Sequence, residues 1–489
     1  MHRSEALAAL AGTAHPSLAV RPLGALSERG VTIELPEPAD LLGVGWERPS
    51  GARIELRFRT GADGSWSPWA SAGAHGHGAE EAPAHAAPLI GDPIWAGGAR
   101  LVQVRARPAL TQARLHIVDV SAGVGARRQA LALGPLAVAA AMPRAVPVLA
   151  AGPGQPPIIA RRAWAQGVAR PRVAPGYGAV QMAFVHHTQN PNGYGRSEVP
   201  AMLRAIYAFH RYVNGWNDIG YNFAIDLYGR IFEARAGGID EPVVGAQAGG
   251  YNLVSTGVAV LGSFMDTPIS PAARRSLQRL LAWKLALHGL PAEGRVTVRV
   301  NPAGARYARF PAGAHVSLRR IAGHRDGDST DCPGNALYGR LPAIGRRVRR
   351  LAGPVVRATL MLLPPPPPVS APAGESPAEA RTLLGSLLRL DGTPVDGARV
   401  LIQARTVSRR GEVVGEQTLG EAMTDVTGAW SLPVSLAASP GGSSLRALCI
   451  APAPLGASVS EPLVVPAAVS LTQPAAPEPS PPAAAPLAR

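Results

Sequence analysis

At 489 residues, with 46% hydrophobic side chains and a formal net charge of +15, the chain is too long for one hydrophobic core and too apolar to be disordered. Two cysteines exclude a disulfide framework, and no uninterrupted apolar run approaches the roughly 18 residues that a spanning helix needs. The charge is concentrated: residues 158–352 carry 25 Arg/Lys against 11 Asp/Glu, a sum of +14, while 1–157 carry 14 against 12 (+2) and 353–489 carry 9 against 10 (−1). So basic a segment suits nucleic acid, an anionic membrane surface or an anionic cell wall, and composition does not choose among them. Only Lys284 is a lysine; with the heavy use of Ala, Gly and Pro this fits a GC-rich genome, a bias that accounts for part of the basicity.

Residues 1–30 form an N-terminal segment whose first twenty begin basic, but Glu5 and a short apolar run set them apart from a secretory signal. From 31 to 120 short alternating stretches are broken by turn residues: Leu41–Trp46, Ile54–Phe58, Leu101–Val104 and Leu115–Val118. In residues 53–59 (RIELRFR) the period of two puts Ile54, Leu56 and Phe58 on one buried face, which predicts a small antiparallel sandwich. Trp46, Trp66, Trp69 and Trp95 suit either core packing or a carbohydrate-stacking surface, and core packing is the commoner use of large aromatics. Residues 121–157, rich in Ala, Pro and Gly, read as a linker; the apolar run Ala130–Met142 within it is too short to span a bilayer.

Between 158 and 352 strands alternate with helical patterns. Met182–Val185, Phe223–Ile225 and Val258–Leu261 are short buried strands, and a helix starting at the capping residue Ser197 sets Leu203, Ile206 and His210 on one stripe. Ser270-Pro271 opens a second helix through Leu277, Leu280, Leu281 and Leu285. A second linker covers 353–380, with Pro364–Pro368 as a stiff polyproline spacer. Alternation returns over 381–468, with turns at Asp391-Gly392 and Asp425–Gly428, and this part resembles the prealbumin-like modules appended to many secreted enzymes. The Pro/Ala-rich tail 469–489 reads as disordered. The expected fold class is therefore multidomain: a central α/β domain, a mixed β-sheet flanked by helices, between N-terminal and C-terminal all-β, sandwich-like domains.

The central segment also holds the chemistry. His186-His187 closes the first buried strand, His324 follows Ile321-Ala-Gly, and Cys332 lies eight residues further on, within GHRDGDSTDCPG (323–334). A lone histidine or cysteine is more often a core residue than a ligand. Two imidazoles and a thiolate, however, make the three-ligand N/S set that a catalytic zinc requires, with the fourth position left for water.

The wording around those residues is more specific still. FVHHT (184–188), WNDIGYNF (216–223), GYN at 250–252 followed by TGVAVLG (256–262), and GHRD with TDCPG (323–334) resemble, in order and spacing, the peptidoglycan recognition proteins and type 2 N-acetylmuramoyl-L-alanine amidases; RRAW (161–164) resembles the opening of the same domain. The resemblance implies a Zn2+ cofactor held by His186, His324 and Cys332, and a catalytic role for Tyr221. It also implies a role for Thr330, at a position that is lysine in phage-type members and threonine in many recognition proteins, and it leaves His187 as a structural neighbour. Implied too is hydrolysis of the amide between N-acetylmuramic acid and L-alanine, with bacterial peptidoglycan as partner. Tyr221 and Thr330 would stabilise the oxyanion or help protonate the leaving amine. Many relatives carry histidine where this chain has Gln247, which can hydrogen-bond glycan or stem peptide but cannot change charge.

The alternative is a recognition module that binds peptidoglycan without cutting it; such relatives have typically lost the cysteine, which is present here. No motif supports a nucleic-acid partner, and no segment supports a membrane span. A place outside the cell or at the wall follows from the substrate alone.

Overall fold

The computed structural model describes residues 16–47, 52–60, 64–72, 89–120, 154–362, 379–407, 413–437, 443–452, 455–461, 463–465 and 470–472. The expected linker 121–157 except its last four residues, the spacer Pro364–Pro368 and the tail beyond 472 lie outside the described residues. Among the described residues no helix is long and apolar enough to cross a membrane.

The central domain is built on a six-stranded mixed sheet. Its strands run, in spatial order, Ile321–Gly323, Met182–His187, Ser255–Val260, Phe223–Ile225, Ile231–Glu233 and Ile158–Ile159. All neighbouring pairs are parallel except Phe223–Ile225 with Ile231–Glu233. A parallel sheet is covered on both faces, which is why MAFVHH (182–187) is buried throughout instead of alternating with polar residues. One face, with Val185, Val258 and Val260, packs on the helix Pro271–Leu287 through Leu277, Leu281 and Leu285, and on Leu341–Ala352 through Ile344 and Val348. On the other, Ala224 and Ala259 pack against Trp164 and the helix Val199–Ala208.

The Ser270-Pro271 start is as expected, the Ser270 hydroxyl accepting the Ala273 N–H at 3.1 Å. The earlier helix differs from its expectation at both ends. Glu198, not Ser197, is its N-cap residue, and its carboxylate turns back to accept the Gly195 N–H at 2.6 Å. At the far end one π-type turn, Phe209–Val213, takes over and carries His210.

The described N-terminal residues form one antiparallel sheet of seven strands, in which the long strand Val31–Trp46 pairs with Ile94–Arg107 and with Leu110–Asp119. Its pairing with Ile94–Arg107 shifts register between Glu34 and Leu41, so a single bent sheet encloses the core that a two-sheet sandwich was expected to enclose. Trp46 and Trp95 are buried as expected. Trp66 and Trp69 are not: they are half-buried on the outer face, stacked over Arg57, Arg59 and Arg105 at 4.1–5.3 Å. Alternation along Arg53–Arg59 turns those arginines outward, and an Arg–Trp ladder satisfies the indole faces without a core.

The described C-terminal residues form two antiparallel five-stranded sheets around Leu387, Val400, Ile402, Trp430 and Cys449. Both expected turns are present, with Gly392 and Gly428 at positive φ and the Asp391 and Asp425 carboxylates accepting backbone N–H groups. One strand, Val356–Ala358, pairs with Glu379–Arg389 from within the segment expected to be linker, and Ser470–Thr472 pairs with Ala429–Ala437 from within the expected tail.

This module is bound to the central domain by a buried charge cluster. Arg405 contacts Asp240 at 2.9 Å and Glu241 at 2.9 Å, Arg446 reaches the same two carboxylates, and Lys284 donates to the carbonyls of Ile239 and Glu241 at 2.8 Å. Burial alone would raise the Asp240 carboxyl, but Arg446 and Arg405 outweigh it and hold the group below its ordinary range. Asp240→Ala would leave two guanidinium groups buried without this carboxylate, at a cost of about 3–5 kcal/mol, readable by chemical denaturation. Because the folded-state value is depressed, the Asp240 contribution is fully present above about pH 4 and disappears as pH falls further; a stability profile flat down to pH 2 would exclude it.

Candidate active site

The register of the central sheet builds the site. Ile321, Ala322 and Gly323 lie opposite Ala183, Phe184 and Val185 in parallel, so the next residues, His324 and His186, emerge side by side at the C-terminal ends of adjacent strands. That edge is where open α/β sheets place their ligands. The rings of His186 and His324 lie 4.6 Å apart between centroids. Strand alternation sends His187 to the opposite face, where its Nδ1 accepts the Phe264 N–H at 3.2 Å. It is a structural neighbour there, as expected.

Cys332 returns to the same point after the short helix His324–Gly327. The Thr330 hydroxyl oxygen accepts the Cys332 N–H at 3.0 Å, the Cys332 carbonyl accepts the Arg325 N–H at 2.9 Å, and the thiol lies 3.8 Å from His186 Nδ1. His186, His324 and Cys332 each offer a ligand atom within 4.8 Å of the others. Tetrahedral zinc with bonds near 2.3 Å to sulfur and 2.1 Å to nitrogen would set those two atoms roughly 3.6 Å apart, so the donor set and its spacing fit zinc. Burial, then the charge of Asp92, push the Cys332 thiol well above its ordinary value; a metal reverses this, because a coordinating thiol is deprotonated outright.

Tyr221 stands beside this group, its ring 5.4 Å from that of His186. Its position is set by a frame of buried polar bonds. Arg161 pairs with Asp218 at 2.7 Å, Asp218 also accepts the Ile219 and Ala236 N–H groups, and Asn222 binds the Val243 carbonyl and the Gly257 N–H, both at 2.8 Å. The motif residues around Tyr221 are therefore its scaffold. Burial foremost, with the nearby Asp92 and Cys332, raises the phenol well above its ordinary pKa; the group keeps its proton and can donate it in a hydrogen bond. Thr330, half-buried, is tied to the thiol segment rather than to Tyr221.

Three residues escaped the sequence reading. Asp328 accepts from His324 Nε2 at 2.8 Å and from the Gly249 N–H at 2.9 Å, which leaves His324 Nδ1 as the nitrogen for a metal. A carboxylate four residues after a candidate ligand histidine on a helical turn is the signal that would have marked it. His210 stacks 4.5 Å from Trp216 and 5.6 Å from Tyr221, with its Nδ1 accepting the Gly220 N–H at 3.1 Å. Asp92, from the N-terminal sheet, had no local signal at all. Gln247 is fully buried, its amide donates to Ser255 Oγ at 3.0 Å, and it packs against the strand at Gly257.

Residues 176–335 match the family described as N-acetylmuramoyl-L-alanine amidase. The match covers 160 of the 489 residues, about a third of the chain. Residues 7–132 match a second family, described as Rv3811 N-terminal galactose-binding domain-like, and so extend beyond the expected 31–120 on both sides. Among curated proteins the amidase region is similar to peptidoglycan-recognition protein SC1a/b of Drosophila simulans, 27% identical over 184 residues, or 38% of this chain and 83% of that protein. It is also similar to peptidoglycan-recognition protein LE of Drosophila melanogaster, at 31% over 37% of this chain and 44% of that one. A human N-acetylmuramoyl-L-alanine amidase is 29% identical over 32% of this chain and 22% of its own length.

Within this domain Asp328 fixes the ring of His324 through its Nε2. Asp328→Asn is expected to weaken zinc binding by about 10–100-fold, measured by competition with a chromogenic chelator; an unchanged affinity would exclude the carboxylate from orienting His324.

Proposed function

We propose that the protein is a zinc-dependent N-acetylmuramoyl-L-alanine amidase that cleaves the bond between N-acetylmuramic acid and L-alanine in bacterial peptidoglycan. The observation that carries this reading is the convergence of His186, His324 and Cys332 beside Tyr221 in a domain of the amidase family. A zinc held by these three residues would supply Lewis acidity and a water of lowered pKa, near 7. The remaining chemistry belongs to the chain. The buried, protonated Tyr221 phenol donates a hydrogen bond to the oxyanion that develops on the scissile carbonyl, and Thr330 keeps Cys332 in register while its own hydroxyl hydrogen remains able to donate.

Binding without cleavage is the second reading, and relatives named for recognition favour it. Retention of the complete His–His–Cys set favours the enzyme, since a pure binding surface gains nothing from a buried thiol between two imidazoles. The excess of +14 over residues 158–352 suits capture of an anionic wall, and the site of action would then be outside the cell or at the wall.

One zinc per chain is expected, and His186→Ala, His324→Ala and Cys332→Ala should each lose both the metal and release of free N-acetylmuramyl ends from purified peptidoglycan. Full metal content and turnover in all three would end the proposal. Tyr221→Phe should keep zinc and fold but lower turnover about a hundredfold with little change in KM; wild-type turnover would remove the phenol from the mechanism. Binding to insoluble wall should fall between 50 and 500 mM salt, roughly the range over which the screening length shrinks severalfold, whereas hydrolysis of a short soluble muropeptide should change far less.

A further inference from the structure

The side chains of the site do not face solvent. His186, His324 and Cys332 are each 0% exposed and Tyr221 is 5% exposed, although a wall strand is a polymer that must approach this group. On the Tyr221 side the group is bordered by the other module. Trp95 of the N-terminal sheet packs in the same apolar cluster as Tyr221 and the helix Val199–Ala208, with Ile90 alongside and Leu41, Val118 and Val120 completing the contact. Between Ile90 and Trp95 runs the buried loop Gly91-Asp92-Pro93, anchored to its own sheet by the Gly91 N–H on the Val44 carbonyl at 2.9 Å. Asp92 is only 6% exposed, and its charge reaches both Tyr221 and Cys332, adding to the effect of burial on each.

Beneath that loop the fit is tight. A Cβ on Gly43 would lie 2.3 Å from the Phe209 ring, so the strand Val31–Trp46 sits on the π-type turn that also carries His210, the neighbour of Tyr221. His116 stands edge-on to the same Phe209 ring at 6.3 Å. At the rim, Arg204 is buried within reach of the Asp40 charge.

We propose that the N-terminal module is a lid on this site: seated through Gly43 on Phe209 and through Trp95 in the Tyr221 cluster, it closes the Tyr221 side of the His186, His324 and Cys332 group, and wall polymer enters only when it lifts. The closure is a property of the fold and does not depend on the amidase reading; its consequence for wall cleavage rests on that reading. A short soluble fragment and a polymer differ in how much opening they need, so the lid restrains attack on intact wall most.

The test uses the full chain, metal-free, with a thiol reagent. Cys332 is buried in the site and Cys449 in the core of the C-terminal module, so each labelled position is read by mass mapping. Gly43→Val wedges the contact without touching a site residue. Cys332 should then react about tenfold faster or more, as expected when a local opening becomes cheaper, while Cys449 stays at its wild-type rate. Equal Cys332 rates overturn the lid. Should both thiols accelerate, Trp95→Ala replaces the wedge, and there Cys332 must accelerate alone or the proposal fails. In the zinc-loaded protein the same variant should cleave insoluble peptidoglycan faster than wild type, and slower cleavage would make the module a working wall of the site instead of a lid. Faster labelling in variants that never cleave wall would leave the lid standing and remove the amidase.

Discussion

The parallel pairing of Ile321–Gly323 with Met182–His187 is the constraint on which the rest of the site depends. Three backbone partners set it, and it brings together two histidines that are 138 positions apart in the chain. A slip of one residue would turn His186 to the face now held by His187, where Phe264 and the helix Pro271–Leu287 leave no counterpart for His324 or Cys332. The apolar residues of those strands therefore hold the chemistry in place: Val185 and Ile321 are committed to one side of the sheet, and the histidines follow from that commitment.

Around this register the protein spends its buried polar groups on position. Asp218, Asn222 and Asp328 are each nearly excluded from water, and each ties the segment bearing Tyr221 or His324 to backbone elsewhere, at Ala236, Val243 and Gly249. Such groups cost desolvation and are retained where they specify a geometry. The same economy joins the modules. A charge cluster around Asp240 and Glu241 binds the C-terminal sandwich to the loop that follows the Tyr221 scaffold, whereas the N-terminal sheet meets the amidase domain mainly through apolar side chains. A dry ionic interface opens at high cost, because parting it leaves charges unpaired. A modest apolar one opens more readily, which suits a module that must move.

Much of this was legible in the residues themselves. Period-two alternation marked Ile54, Leu56 and Phe58 as one buried face, Ser270-Pro271 marked a helix start, and the aspartate–glycine turns at Asp391 and Asp425 are where they were expected. Donor chemistry and motif wording single out His186, His324, Cys332 and Tyr221. These are local properties: hydrophobic period, capping, turn conformation and ligand type are all set within a few residues of chain. The tertiary structure decided what depends on distance along the chain. It set Asp328 behind His324, folded Gln247 inward against Gly257, laid Trp66 and Trp69 across outward arginines, and brought the charge of Asp92, from a separate sheet, to bear on Cys332. No local pattern encodes such placements, because they follow from how whole sheets and helices pack against one another.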